Sequence, residues 1–163
     1  MIIQEKMIDE IISKVHEEEM YSTKLSDQFS ADFEDFIVYL EKEVFTVLKE
    51  HEAELMIFLQ QVIYEAFLNS GKREPISYEL HDFFDLEENA WEIYENNIKK
   101  PFKDRITPIF ERYKEEDAFA FVEDLLVDPE DSEEGDEGIS NEGRDIIWNV
   151  TVAFILLLVK KAS

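Results

Sequence analysis

The sequence predicts an all-α fold: a compact bundle of about five to seven helices with an apolar C-terminal helix at its centre. Three observations predict it. Apolar side chains recur at helical spacing through most of the chain. No stretch shows sustained period-two alternation with turn chemistry. Glycine is confined to positions 71, 135, 138 and 143, so long segments run without a breaker.

Ile3, Met7, Ile11 and Val15 recur every fourth residue, with Ile8 and Ile12 beside them, which predicts an amphipathic helix over about 2–21. Residues 22–30 read as a polar connection, with Ser26, Asp27 and Ser30 as candidate caps. The next period is carried by Phe29, Phe33, Phe36, Leu40, Val44, Val47, His51, Leu55, Phe58, Val62 and Ala66. As one helix of about forty residues it would span ~60 Å. Two helices broken near the polar residues 50–54 are the alternative, and the pattern does not choose between them. Gly71 fits a C-terminal stop before Pro75.

Ser77 is expected to cap a short helix with Leu80, Phe83 and Phe84. Asp85 and Glu88 outline a capping box for a second helix through Trp91, Tyr94 and Ile98. Pro108 should start or kink a helix carrying Ile109, Phe110 and Tyr113. Asp117 can cap the following one, around Phe121, Val122, Leu125 and Leu126. Residues 128–141, DPEDSEEGDEGISN, read as an acidic loop within a single helical domain over 1–163. Ser140 or Asn141 then caps a last helix whose apolar residues go nearly all the way round. Such a helix belongs at a bundle centre or in a homodimer interface.

Charge and composition set the function classes. The net charge is −24. Between Glu115 and Glu142 lie thirteen acids and no Lys or Arg, so more than half of the imbalance sits in one stretch. Direct nucleic-acid binding needs a basic surface and is not expected. The richest basic cluster, Lys99, Lys100, Lys103, Arg105, Arg112 and Lys114, is interleaved with acids and reads as a solvated helix face. With no cysteine, disulfides and thiolate chemistry are excluded. No glycine-rich phosphate loop or nucleophile elbow is present. The opening residues MIIQEKMIDE lack the pattern of a signal peptide, and the longest apolar run, 152–159, is far short of the ~20 residues that span a bilayer. A cytoplasmic protein with no membrane partner is the expectation.

Site chemistry is sparse. His16, His51 and His81 are not spaced for a helical metal site, although His51 sits in core phase between Glu50 and Glu52. Glu79/Asp82 and Glu92/Glu95 have the i, i+3 spacing of magnesium-holding helical hydrolases. Eleven such acid pairs occur in the chain against roughly ten expected by chance, so the spacing carries no signal. A calcium hand with Gly135 at its sixth position puts Glu137 where an apolar residue belongs and Asn141 where the bidentate Glu belongs. No catalytic residue, cofactor or metal ligand is therefore assigned.

The first function reading is a non-enzymatic binding or regulatory protein that presents negative surface to a basic protein partner, by an immunity-like or DNA-mimic-like mechanism. Its candidate contact residues are Glu130, Asp131, Glu133, Glu134, Asp136 and Glu137. The alternatives are a helical hydrolase with carboxylate-held magnesium, and a plain acidic oligomeric domain whose charge serves solubility.

Overall fold

The computed structural model describes residues 1–71, 73–96, 98–127 and 138–162. Among them are eight α-helices and no strand, slightly more helices than the five to seven expected. They are α1 (Glu5–Glu17), α2 (Tyr21–Asp32), α3 (Glu34–Tyr39), α4 (Glu50–Asn69), α5 (Leu80–Glu95), α6 (Phe102–Arg112), α7 (Glu116–Leu126) and α8 (Asn141–Lys161).

Helix α8 is the axis of the bundle. Every residue from Ile147 to Leu158 is buried within the chain itself, and α4, α5 and α7 pack around it. Of the two places expected for this helix, the bundle centre is the one observed. Among the described residues no helix is long and apolar enough to cross a membrane. Two aromatic clusters flank α8. Phe154 meets Phe29, Phe33 and Phe36, while Trp148, one and a half turns earlier, meets Phe102, Phe110 and Phe119.

Contacts at the helix ends give the directions. Glu52, near the start of α4, meets Ser140 at the start of α8, and further along Tyr64 and Phe154 both pack on Phe33. Helices α4 and α8 thus run side by side in the same direction. Asp82 at the start of α5 pairs with Lys161 at the end of α8, and Tyr94 near the end of α5 reaches Asp145 near the start of α8. Helices α5 and α8 are antiparallel.

Several local expectations are corrected. The supposed polar connection over 22–30 lies within α2, because Tyr21, Leu25 and Phe29 form a buried stripe one turn apart. α1 accordingly stops at Glu17 rather than near residue 21. The long periodic segment is in pieces. Phe33 leaves helical geometry (φ −126°, ψ 37°), and its fully buried ring lies among Phe29, Phe36, Tyr64, Tyr78 and Phe154. After α3 the chain widens into a π-turn over Leu40–Val44, tightens to 3₁₀ over Phe45–Val47, and extends at Leu48 and Lys49 before α4. Apolar phase survives these breaks because each piece still faces the same core, which is why periodicity alone could not reveal them.

Residues 80–95 form one helix where two were expected. Its first turn is capped by Asp82, whose Oδ2 accepts the Glu79 N–H at 3.1 Å, so neither Ser77 nor Asp85 is a cap. Of the two parts expected for Pro108, it does not start α6, whose N-cap position is Pro101; it lies inside the helix, where it has no N–H to offer the carbonyl of Asp104. α7 starts from Glu115 rather than from Asp117. Gly71, at φ 81°, takes the left-handed conformation that ends α4, as expected.

Ser140 caps α8 as expected, its Oγ accepting the Gly143 N–H at 3.0 Å. The absence of a side chain at Gly143 has a specific reason: a Cβ there would stand 2.3 Å from Glu52 Oε2. Replacing a helical Gly by Ala ordinarily stabilises a helix by up to ~1 kcal/mol. Gly143→Ala is expected to destabilise instead, by about 2 kcal/mol, because the clash with a buried carboxylate outweighs propensity. A urea midpoint lower than that of the wild type checks this; an unchanged or higher midpoint contradicts it.

Candidate functional site

The six acidic contact residues Glu130, Asp131, Glu133, Glu134, Asp136 and Glu137 lie outside the described residues, as do the early positions of the calcium-hand alignment. The segment that follows them is well anchored. His51, half-buried, has Nε2 at 3.2 Å from the Gly138 carbonyl oxygen, and Glu52 receives the backbone N–H and the hydroxyl of Ser140, each at 2.8 Å.

Glu52 is 1% exposed and also accepts the Lys49 N–H at 2.9 Å. Burial alone would raise its pKa, but the hydrogen bonds from Lys49 and Ser140 outweigh it and hold the carboxyl below the ordinary range. Glu115 has a similar part where the N-terminal residues meet the start of α7. It is 4% exposed, and its carboxylate receives the N–H groups of Ile2 and Ile3 at 2.9–3.1 Å. Asp117 accepts the Glu5 N–H at 2.9 Å, so it caps the start of α1 rather than its own helix.

The magnesium-type pairs are not brought together. Glu79 and Asp82 flank His81 at the exposed start of α5, and Lys161 holds Asp82 at 3.0 Å, keeping its carboxyl below the usual value. Glu92 and Glu95 are exposed near the other end of that helix. Among the described residues no three His, Asp or Glu side chains are grouped to hold a metal.

Two other arrangements emerge. The first is a cleft of about 120 Å³ between α1 and α7. Glu5, Asp9, Asp117 and Asp124 line it together with Ile8, Ala120 and Phe121, and no lysine or arginine does. It arises because α7 carries four acids and no base, and packs its Ala118–Phe119–Val122 face inward. Asp9 and Asp124 are exposed, while Asp117 is half-buried by its bond to the α1 backbone.

The second is a polar cluster where α5, α6 and α8 meet. The Tyr94 hydroxyl donates to Asp145, and burial with that bond pushes the phenol well above its usual pKa. Arg105 lies 3.9 Å over the Tyr94 ring and Arg144 4.5 Å over the Phe102 ring. Arg105 thus leaves the solvated basic face predicted for it; its side chain is only 11% exposed.

Comparison with protein-family models, with curated proteins and with solved structures finds no match to this chain. The cleft and the cluster join helices distant in sequence, and no spacing rule encodes them. Only the run of acids from Glu115 onward pointed toward α7.

One carboxyl between α3 and α5 has surroundings that disfavour its ionised form. Burial raises the Glu87 pKa, and the hydrogen bonds it receives from Tyr39 (3.3 Å) and Trp91 offset this only in part. Burial and Glu87 in turn push Tyr39 up to about 12. A carboxyl whose folded pKa is raised destabilises the fold when ionised, and this penalty fades as pH falls through that pKa. Glu87→Gln is expected to raise the melting temperature at pH 7, with the gap to wild type closing as the solution is acidified toward pH ~4. A variant less stable at pH 7 contradicts this.

Proposed function

We propose that this chain is a non-enzymatic binding protein that offers a carboxylate-rich surface to a basic protein partner. The observation that supports it best is the α1–α7 cleft, where four carboxylates surround apolar Ile8, Ala120 and Phe121 with no cation among the lining residues. That combination suits a lysine or arginine side chain: carboxylates for its charged head, an apolar surface for its stem. The net charge of −24 favours the same class of partner at longer range, since complementary fields raise association rates and suppress like-charged competitors. The cytoplasmic location and the immunity-like or DNA-mimic-like mechanism belong to this proposal. In either mechanism the partner's cationic cleft is occupied by carboxylates in place of phosphate.

The carboxylate-held magnesium reading has less support, because its four acids lie apart and one of them already pairs with Lys161. An acidic domain whose charge serves solubility alone gives no account of four carboxylates gathered at one cleft.

The test uses the immobilised chain, a lysate and a salt gradient, with each captured partner then purified and re-bound. A basic partner is expected to elute as salt rises toward ~0.5 M, because exposed ion pairs are screened within a few ångströms there. Reversing charge at the cleft with Asp9→Lys and Asp124→Lys should weaken its binding at least tenfold. The same reversal at Glu92 and Glu95 on α5 should change it by less than about threefold. A partner that persists at 1 M salt, or that ignores which pair is reversed, contradicts the proposal.

A further inference from the structure

The joint of α5, α6 and α8 holds two guanidinium groups against one carboxylate, in a chain that is otherwise strongly acidic. Arg105 and Arg144 are each the fourth residue of their helix, so both side chains leave beside a helix N-terminus. Both are shielded, at 11% and 24% side-chain exposure, and each lies over an aromatic ring. Their common acceptor is Asp145, which stands 3.9 Å from Arg105 Nη1 and 3.4 Å from Arg144 Nη2. The first distance is longer than a hydrogen bond, and the second is at its limit. Asp145 is already engaged by the Tyr94 hydroxyl. Among the described residues, the Nε atoms of both arginines, and the indole N–H of the fully buried Trp148, have no hydrogen-bond partner. Trp148 packs on the same Phe102 ring that carries Arg144.

Two guanidinium groups thus share one carboxylate within 4 Å, and each keeps an Nε donor without an acceptor among the described residues. A guanidinium held over an aromatic ring keeps its charge while losing much of its rotamer freedom, so an incoming acceptor meets a preorganised fork. The two helix N-termini add backbone dipoles of the same sign. We infer that the Arg105–Arg144 joint is an oxyanion site that takes a phosphate group, bridging α6 to α8. Asp145 acts as the built-in competitor: its loose 3.9 Å approach to Arg105 lets a dianion with better fork geometry take over that guanidinium. This site is independent of the α1–α7 cleft, and the two can fail separately.

Inorganic phosphate is the probe, with sodium chloride at matched ionic strength as reference. Phosphate at about ten times its dissociation constant is expected to raise the melting temperature of the full chain by about 3–5 °C over chloride. Arg105→Gln and Arg144→Gln should each remove most of that shift. Titration of the ¹⁵N-labelled wild type should also move the Nε–Hε resonances of Arg105 and Arg144, and not that of Arg112 on the exposed end of α6. That measurement decides the matter if either variant fails to fold. No gain over chloride, a gain retained in both variants, or arginine resonances that stay put on phosphate addition would each overturn the assignment.

Discussion

The carboxylate of Glu52 is the constraint on which the bundle's geometry depends. One buried side chain receives the backbone N–H of Lys49, at the start of α4, and the N–H and hydroxyl of Ser140, at the start of α8. Two helix N-termini, each the positive end of a backbone dipole, thus meet on a single negative charge. A dry charge is ordinarily unfavourable, and it is tolerated here because the donors around it are fixed by two helices. The lack of a side chain at Gly143 lets α8 approach that closely. Parallel packing of α4 and α8, and with it the placing of Phe154 among Phe29, Phe33 and Phe36, follows from this one meeting point.

The same device recurs elsewhere. Glu115 and Asp117, at the start of α7, receive the N–H groups of Ile2, Ile3 and Glu5, which ties the N-terminal residues and α1 to α7. Asp82 caps its own helix and holds the last turn of α8 through Lys161. Acidity in this protein is therefore not only a surface property. Part of it is internal, pairing carboxylates with helix starts, and part lines the α1–α7 cleft. The sign is reversed at the Arg105–Arg144 joint, where cations rather than carboxylates are shielded.

The helical character and the central place of α8 were readable because they follow from residue spacing. From Ile147 to Leu158 nearly every position is apolar, and a helix of that kind must be enclosed on every side. The cap at Ser140 and the stop at Gly71 were readable for the same local reason. The breaks at Phe33 and at Leu48–Lys49 were not, because side chains on either side keep facing one core while the backbone changes course. α2 was missed because Tyr21, Leu25 and Phe29 are diluted by serines and charges that favour caps in isolation. Glu52, Glu115, Arg105 and Arg144 gave no signal as members of long-range contacts. Their long-range partners lie between 40 and 113 residues away, a separation that no local pattern records.

Glu52→Gln tests the central claim most directly, because the amide keeps the shape and removes the charge. A carboxyl with a depressed folded pKa contributes stability above its unfolded value, near 4.3, and loses it as pH falls through the folded value. At pH 7 the variant should unfold with roughly 3 kcal/mol less free energy than wild type. The difference should shrink steadily below pH ~4, as the wild-type carboxyl takes up its own proton. Equal stability at pH 7, or a gap that stays constant across the acid range, would show that this charge does not join the two helices.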